Sequence, residues 1–469
     1  MGVFTPFTVF IVLLASAVIG SPAPSPSSIE IVPHKFNNTT AFTKIIPTKD
    51  ITIRDPVYIT PDVMFVGKSN GDILRCLYNE PSVCEMFYSY TSSTPVTAMA
   101  VHGEYLYVSL LSGGMLRCNL HEKNSCTSFN NDNQINSLVI SGGYIHAGMN
   151  DGRMLRCELH LPHSCRMFNN FNSAVTALAA IEKYIYAALA SKAIWRCSIS
   201  SENSCRLFES GSAFGSELQG LTATKKYVIG VTRGGTLFNC SSHGDHCTPK
   251  LVPNSGYTDM AVFRGSLYTV ESHNLRKCEW GSFNCSEYDI HQDAYSIVFA
   301  YKTYKMQERF ANEGKTCLSN SRCPPFMTYY KVNERPILEV TVEDGRLYNS
   351  QGVLVDTREA DVGQSGRAAI FAMGADGQIL LSNVHNTVLQ TSSLFAGAPV
   401  AAAGEMVVEE GVIKSIRACS DQYRPDVDLN DQVLEVLNWK GYTDRVESFP
   451  CYRYEDGQIN VEENTVGDQ

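Results

Sequence analysis

The sequence predicts a mainly β protein: a six-bladed β-propeller with a disulfide inside each blade, followed by a small α+β domain. Three observations predict this fold. Six cysteine pairs recur about every 40 residues between Cys76 and Cys285, with partners seven or eight residues apart. Each period contains four short segments of alternating apolar and polar residues, separated by turn residues. Beyond residue 305 the repeat stops and a helical pattern appears.

The second repeat shows the strand pattern most clearly. Its four strand-like segments lie at residues 95–101, 105–110, 115–120 and 125–129. A single four-stranded sheet cannot bury both faces, whereas sheets packed in a ring can, and about 40 residues per four strands is typical of propeller blades. Residues 294–300 resemble a further first strand, while the first repeat has a weak one near residues 57–59. The late strand either completes the first blade or begins a partial seventh blade.

The cysteines are interpreted as structural disulfides. Facing residues of an antiparallel strand pair lie at the separation that a disulfide needs, and closing a nine-residue loop stabilises by roughly 2–3 kcal/mol. A spacing of eight fits no zinc pattern, so no metal site is predicted. No cofactor is predicted either. The predicted bridges are Cys76–Cys84, Cys118–Cys126, Cys157–Cys165, Cys197–Cys205, Cys240–Cys247, Cys278–Cys285, Cys317–Cys323 and Cys419–Cys451.

The N-terminus predicts secretion. Residues 7–20 form an apolar run of 14, which is short for a bilayer span and typical of a signal peptide ending near Gly20. The alternative is an uncleaved membrane anchor. No later segment is apolar enough to span a bilayer, and disulfides persist in oxidising compartments. Candidate N-glycosylation sites are Asn37, Asn38, Asn239 and Asn284.

Charge and composition exclude one class of partner. The net charge is -10, with 44% hydrophobic and 18% charged residues. An acidic chain without a Lys/Arg cluster is a poor partner for phosphate backbones, so nucleic-acid binding is not expected. The predicted layout is a signal peptide (1–20), a Pro/Ser-rich segment (21–50), the propeller (51–305), a disulfide-stapled connector (306–335), the α+β domain (336–455) and an acidic tail (456–469).

The C-terminal domain has its own strand and helix pattern. The sequence predicts a strand at 337–342, hairpins at 346–357, 369–382 and 405–416, and a helix at 428–439 with Leu429, Val433, Val436 and Leu437 on one face. The motifs GRLY at 345–348, AIFAM at 369–373 and, most specifically, TSSLFAGAPVAAAGE at 391–405 resemble a C-terminal domain of bacterial polymorphic-toxin-like proteins. They are also similar to the C-terminal region of plant IQ-motif calmodulin-binding proteins. The resemblance covers roughly residues 340–440 and identifies no family for the propeller.

Two departures limit what this resemblance implies. The related motif has a histidine pair just before the two serines, where this chain has Gln390 and Thr391. It also reads Ser-Gly-His-Tyr where this chain has Ser420-Asp421-Gln422-Tyr423. Chemistry that needs those histidines is therefore not expected here. No IQ motif is visible, so calmodulin binding is not carried over.

Two functions from different classes remain open. The first is a secreted recognition protein whose propeller binds an extracellular glycan or protein. The second is a secreted effector or toxin whose C-terminal domain is an ADP-ribosyltransferase-like enzyme. In such a site Glu405 would orient a ribose, beside Ser392, Ser393 and Arg346, with Arg367 as an alternative cation. The competing interpretation makes the serines a turn and Glu405 the start of a strand.

Overall fold

The computed structural model describes residues 59–461, with gaps at 113, 133, 182, 212–213, 225, 243, 245–246, 252–255, 272–273, 280–284, 291–292, 311–326, 361–366, 387, 426, 447 and 456–457. The predicted signal peptide and the Pro/Ser-rich segment lie outside the described residues. So do Asn37, Asn38 and Asn284, both cysteines of the predicted Cys317–Cys323 bridge, and most of the acidic tail. The predicted domain boundaries stay predictions.

Six four-stranded antiparallel sheets form the blades of a propeller, as the repeat predicts. Blade 1 contains β2 (Val63–Lys68), β3 (Ile73–Leu77), β4 (Cys84–Tyr88) and β25 (Ala294–Ala300). Blades 2 and 3 contain β5 (Val96–His102), β6 (Tyr105–Leu110), β7 (Gly114–Asn119), β8 (Thr127–Asn130), β9 (Ile135–Ser141), β10 (Tyr144–Met149), β11 (Arg153–Glu158) and β12 (Arg166–Asn170). Blades 4 to 6 contain β13 (Val175–Ile181), β14 (Tyr184–Leu189), β15 (Ile194–Ser198), β16 (Arg206–Glu209), β17 (Leu218–Ala223), β18 (Tyr227–Thr232), β19 (Thr236–Ser241), β20 (Cys247–Leu251), β21 (Tyr257–Phe263), β22 (Ser266–Glu271), β23 (Asn274–Glu279) and β24 (Cys285–Asp289).

The ring is closed by the late strand. β25 pairs antiparallel with β2, so that Val66 faces Ile297 and the strand completes blade 1. The partial seventh blade is therefore wrong. The innermost strands β25, β5, β9, β13, β17 and β21 contact one another in this cyclic order. A short pair, β1 (Ile59–Thr60) with β26 (Thr303–Tyr304), lies beside the closure.

A disulfide and a stacked arginine recur in the blades. All six bridges of the propeller are present, each with its two Cα atoms about 4 Å apart. In blade 2 the residue before the first cysteine, Arg117, lies over the rings of Tyr105 (4.9 Å) and Phe129 (5.8 Å). Arg156 and Arg196 make the same contacts in blades 3 and 4. The repeated Arg-Cys pair thus fastens the second, third and fourth strands together.

A second recurring contact joins neighbouring blades. The Tyr107 hydroxyl donates to the Leu159 carbonyl (2.8 Å) in the next blade. Tyr186 and Tyr268 occupy the same strand position in blades 4 and 6, and their hydroxyls also reach the next blade. Blade 3 has His146 there, fully buried against the Phe168 ring. Neither ring nitrogen of His146 has a hydrogen-bond partner among the described residues. Burial lowers the pKa of His146 to about 3, so its imidazole is neutral at physiological pH.

The C-terminal domain is built on a five-stranded sheet in the order β30-β29-β31-β32-β33. Its elements are β27 (Val340–Glu343), β28 (Arg346–Asn349), β29 (Ala369–Met373), β30 (Ile379–Ser382), α1 (Thr391–Leu394), β31 (Ala402–Glu409), β32 (Val412–Arg417), α2 (Val427–Trp439), β33 (Ser448–Phe449), β34 (Tyr452–Glu455) and β35 (Gln458–Val461). One face of α2, with Val433, Val436 and Leu437, packs on the sheet as predicted. The side chain of Leu429 lies outside the described residues. Cys419 and Cys451 form the expected bridge.

Two local predictions for this domain are correct only in part: the strand starts later than predicted, and the hairpin at 346–357, in which Tyr348 pairs with Leu354, follows another hairpin. The segment at 337–342 begins with a 3-10 turn, Arg335–Ile337, and becomes a strand only at Val340. Pro336, whose φ is fixed near the helical value, suits the 3-10 turn that precedes the strand. The first hairpin turns at Asp344-Gly345, both with positive φ, and joins β27 to β28. The predicted turn at Asn349 exists as a second turn, closed by the Asn349 side chain.

Candidate functional site

The central channel of the propeller carries a ring of polar side chains. One residue from each innermost strand, always the second residue of that strand, lines a cavity of about 360 Å³. The six members, which we call the channel ring, are Thr97, Asn136, Thr176, Gln219, Thr258 and Tyr295. All six are uncharged, and hydroxyl and amide groups both donate and accept hydrogen bonds.

A β-bulge places each ring residue. In every blade the pairing between the first strand and its neighbour skips one residue, and the skipped residue is the ring member. A bulge bends the strand and re-aims the side chain of its extra residue. The six bulges thus bring residues from distant parts of the chain to one level of the channel.

Some side chains of the channel ring already form hydrogen bonds within the propeller. The Thr97 hydroxyl bonds the Ile135 carbonyl, and the Asn136 amide donates to the Val175 carbonyl (3.1 Å), so both tie one inner strand to the next. Gln219 and Tyr295 differ, since neither side chain has a hydrogen-bond partner among the residues that the structure describes. Tyr295 is 38% exposed to the channel space. These two side chains are available to a ligand.

Charged groups stand beside the ring. Glu217 and the exposed Arg233 line the same cavity. Asp259 also lines it, but its Oδ2 accepts hydrogen bonds from the Ser296 hydroxyl (2.8 Å) and the Ile297 amide (3.0 Å) of the closing strand β25. Burial raises the pKa of Asp259 to about 6, even though these hydrogen bonds oppose the shift. Asp259 therefore fastens blade 6 to the closure.

The C-terminal domain contacts the propeller at turns that join the first and second strands of a blade. Such contacts occur in blades 2, 3, 4 and 6. His102 Nδ1 lies 2.9 Å from Asp376 Oδ2, and both side chains are largely buried. Burial alone would lower the pKa of His102, but the Asp376 carboxylate outweighs it and the pKa is raised. Burial likewise opposes ionisation of Asp376, yet His102 holds its pKa below the usual value.

Two arginines complete this junction. Arg335, 2% exposed, pairs with Glu104 (2.8 Å) in the same turn of blade 2, and its guanidinium lies 5.1 Å from the Phe395 ring centre. Arg264, in the corresponding turn of blade 6, pairs with Asp62 (2.9 Å) and with Glu435 of α2. The ion pair of Arg335 is nearly buried and that of Arg264 with Glu435 is partly exposed, and both join the propeller to the C-terminal domain.

The predicted catalytic residues lie on separate elements of the C-terminal domain. Ser392 and Ser393 are fully buried in α1, where the Ser393 hydroxyl accepts a hydrogen bond from the backbone N–H of Gln390 (3.0 Å). Glu405 lies within β31, 5% exposed, and is paired with residues of β29 and β32. Arg346 is exposed on β28 and donates to the Glu410 carbonyl (2.9 Å). The exposed Arg367 has a positive φ and lies just before β29. Their assignment to a catalytic site stays a prediction.

Two residues that differ from the related motif, Thr391 and Gln422, are in contact in the structure. The Thr391 hydroxyl donates to Gln422 Oε1 (3.1 Å) and also bonds Ser420, and all these groups are at least partly buried. Gln390 hydrogen-bonds His385 (2.9 Å). Positions that carry histidines in the related motif are therefore filled by hydroxyl and amide side chains that form two hydrogen-bonded groups, one around Thr391 and one around Gln390. The sequence showed each departure separately, but it could not show that they are neighbours.

The channel ring itself was missed at the sequence level. A usable signal existed, since Thr97, Asn136, Thr176 and Gln219 each precede the first cysteine of their blade by 21 residues. Aligning the repeats on the cysteines places these polar residues in register. Of the predicted glycosylation sites, Asn239 lies within β19, paired on both sides, and stays a prediction. No helix among the described residues is long and apolar enough to cross a membrane.

Comparisons with known proteins bear on the C-terminal domain. Residues 334–429 match the family described as IQ motif-containing protein middle domain. IQ domain-containing protein IQM2 of Arabidopsis thaliana is 32% identical over 120 residues, which cover 24% of this chain and 20% of the relative. IQM5 of the same plant is 34% identical over 100 residues, covering 21% and 19%. This chain thus spans about a fifth of the length of these relatives.

Two solved structures align with this chain at low sequence identity. A chain in a crystal structure of a nidogen/laminin complex aligns with a TM-score of 0.44 and 12% identity, covering 51% of this chain and 98% of that one. The WD40 β-propeller domain of Doa1 aligns with a TM-score of 0.41 and 11% identity, covering 55% and 94%. These similarities carry no argument about function. The sequence resemblance to IQ-motif proteins is confirmed for residues 334–429, and the toxin-like resemblance stays a prediction.

Proposed function

We propose that this chain is a secreted recognition protein whose propeller channel binds a glycan. The observation that carries the proposal is the channel ring, six uncharged hydrogen-bonding side chains at one level of a concave cavity. Sugar hydroxyls need partners that both donate and accept, and Gln219 supplies an uncommitted amide for this. Tyr295 adds an exposed ring with an apolar face and a polar tip.

The size of the cavity favours a glycan over a folded protein. About 360 Å³ lies within the usual range for small-molecule sites, which are concave and few per protein. A stable protein–protein interface needs about 800 Å² from each partner, far more than a narrow channel offers. A chain end of a glycan can enter the channel, whereas a protein surface cannot.

The secreted location is part of this proposal. Six bridges in the propeller and one in the C-terminal domain require an oxidising compartment to persist. Expression of the full chain in a secretory cell line should release a protein whose N-terminus begins at Ser21. Retention in the cytosol, or an uncleaved N-terminus in the membrane fraction, would contradict this part.

A glycan array with matched variants tests the binding site. The full secreted chain is screened first, and its best glycan is then titrated against Gln219→Ala and Tyr295→Ala. Each loses contacts to the ligand but no internal hydrogen bond of the described residues, so at least about a tenfold loss of affinity is expected. The controls are Gln351→Ala and Tyr288→Ala, exposed residues outside the channel. Absence of any bound glycan, or equal affinity of all four variants, would refute the proposal.

A further inference from the structure

The channel cavity has a second level of side chains beyond the channel ring. Each inner strand contributes one residue to it, two positions after the ring residue of the same strand. Strand residues advance by about 3.3 Å each, so this level lies roughly 6–7 Å further along the channel. All six members are apolar, whereas every ring member carries a hydrogen-bonding group. The six members, which we call the apolar level, are Met99, Leu138, Leu178, Leu221, Met260 and Ile297.

The lining of the cavity ends at the apolar level. Of the described residues that line the cavity, none on an inner strand lies beyond the fifth residue of that strand. The six apolar side chains belong to six different packing clusters, so that one lies at each junction between blades. Each is largely buried there and keeps 2–8% of its surface exposed. The inner end of the cavity therefore presents a narrow apolar surface.

The charged side chains of the cavity lie away from this surface or are engaged elsewhere. Glu217 precedes the ring residue of blade 5 by two positions, which places it on the other side of the channel ring. The backbone N–H of Arg233 donates to the Glu217 carbonyl (2.8 Å), so Arg233 belongs to the same end of the cavity. Asp259 stands between the two levels, but its carboxylate already accepts hydrogen bonds from Ser296 and Ile297.

The other residues between the two levels are small or turned away. Ala98, Ala177 and Gly220 occupy this position in blades 2, 4 and 5. In blade 3 it is Ser137, whose Oγ lies 2.5 Å from the place that a Cβ on Gly148 would take, so the hydroxyl faces the second strand of its own blade. A ligand group that passes the channel ring therefore meets small side chains and then the apolar level.

A ligand that fills both levels needs hydroxyl groups at one end and a compact apolar group at the other. A 6-deoxyhexose has this shape, because it carries a methyl group where an ordinary hexose carries a hydroxymethyl group. The hydroxyl of a hydroxymethyl group would enter the apolar level, and burying a hydroxyl among apolar side chains is costly. The short separation of the two levels favours a methyl group attached directly to the sugar ring.

We propose that the channel binds glycan ends that terminate in a 6-deoxyhexose. The sugar hydroxyls lie at the channel ring, and the methyl group lies against the apolar level. This inference rests on the proposed glycan binding and names the class of sugar that the same site selects.

Two pairs of sugars that differ only at this position test the inference. L-fucose differs from L-galactose, and L-rhamnose from L-mannose, only in lacking the hydroxyl on carbon 6. Each sugar is titrated calorimetrically against the full secreted chain. In at least one pair the deoxy sugar should bind at least about tenfold more tightly, because an apolar pocket disfavours a ligand with one added hydroxyl by up to about a hundredfold.

Substitutions at the two levels should have different effects. Met260→Gln keeps the length of the side chain but adds an amide to the apolar level, so the preference for the deoxy sugar should fall about threefold or more. Gln219→Ala, at the channel ring, should weaken both sugars of a pair alike and leave the preference unchanged. Met86→Gln is the matched control, since Met86 is 47% exposed on β4 outside the channel. It should leave both affinities unchanged.

The outcomes separate this inference from the proposed function. Binding of neither deoxy sugar, equal affinities within both pairs, or array ligands without a terminal 6-deoxyhexose would overturn the inference and leave glycan binding intact. So would an unchanged preference in both Met260→Gln and Met99→Gln, the second of which replaces the first if the first fails to fold by near-UV circular dichroism. Absence of any bound glycan on the array would refute both proposals together.

Discussion

The blades and the junction with the C-terminal domain are held together in different ways. Between and within blades, a few contacts recur: a local disulfide, an arginine over two aromatic rings, and a tyrosine hydroxyl that reaches the next blade. At the junction, in contrast, the ion pairs do not repeat from blade to blade. His102 pairs with Asp376, Arg335 with Glu104, and Arg264 with Glu435.

This difference concerns how stability responds to a single change. A repeated contact is one of several equivalent ones, so losing one weakens one blade and leaves the others intact. A desolvated ion pair has no substitute, because removal of one partner leaves the other charge buried and uncompensated. The junction should therefore be the more sensitive region.

The largest effect is expected for Arg335→Met. This change leaves Glu104, whose side chain is 13% exposed, without its cation. Breaking a buried pair in this way costs about 3–5 kcal/mol. The free energy of unfolding from urea denaturation at pH 7 measures the loss. The exposed pair Arg153–Asp151 provides the matched control, and Arg153→Met should cost under about 1 kcal/mol.

A double substitution separates charge from packing at the junction. Glu104→Met together with Arg335→Met removes both charges and should recover most of the stability that the single change loses. A double variant no more stable than Arg335→Met would show that the arginine acts through packing against Phe395 instead.

The next largest effect concerns acid stability and His146. Its folded pKa of about 3 lies below the ordinary 6.5, so protons bind the unfolded chain first. The stability that the neutral His146 contributes to the folded state is present above pH 6.5 and is lost as the pH falls towards 3. When the pH is lowered from 7 to 4, the free energy of unfolding of the unaltered chain should fall by about 3 kcal/mol more than that of the His146→Phe variant. Phenylalanine is tolerated at this strand position, since blade 1 has Phe65 there.

The comparison with His102 sharpens this prediction. The pKa of His102 is raised, so its contribution is complete below pH 6.5 and is lost as the pH rises through the folded value. The two histidines therefore respond to pH with opposite signs. Urea denaturation across pH 4–8 measures both, and an identical acid profile for His146→Phe and the unaltered chain would contradict the assignment.

Removal of one blade disulfide should have a smaller effect. Cys118→Ala with Cys126→Ala opens a nine-residue loop and should lower stability by about 2–3 kcal/mol without preventing folding. The melting temperature measures this loss, and the junction should stay intact because its ion pairs are unchanged. Unchanged stability after reduction of all the bridges would contradict their structural role.

The smallest effect is expected for a single inter-blade hydrogen bond. Tyr107→Phe removes the donor to the Leu159 carbonyl and should cost about 1 kcal/mol. Tyr184→Phe, which alters a tyrosine that is 40% exposed, is the control and should cost less. A loss as large as that of Arg335→Met would remove the distinction between repeated and unrepeated contacts.

The propeller could be predicted because its information is repeated. Each cysteine pair, each Arg-Cys pair and each alternating strand occurs several times, so chance matches are filtered out. The role of the closing strand could not be decided, because one strand at residues 294–300 fits either a completed blade or a new one. Only the pairing of Val66 with Ile297 decides it.

The junction and the sites could not be predicted in the same way. His102, Glu104 and Asp376 each look like ordinary turn residues, and only the three-dimensional structure makes them neighbours. The same holds for Thr391 and Gln422. The candidate catalytic residues Ser392, Ser393, Glu405 and Arg346 were chosen by residue type, which says nothing about distance.

The closing strand also has a consequence for the order of folding. β2 is among the first strands to be synthesised, yet its partner β25 lies more than two hundred residues further along the chain. Each blade disulfide, in contrast, joins residues only seven or eight positions apart. Local bridges can form while synthesis continues, whereas ring closure must wait for residue 300. We therefore expect a nascent chain to exist as a row of oxidised hairpins with one unpaired edge on β2, which is the point where a chaperone would be needed.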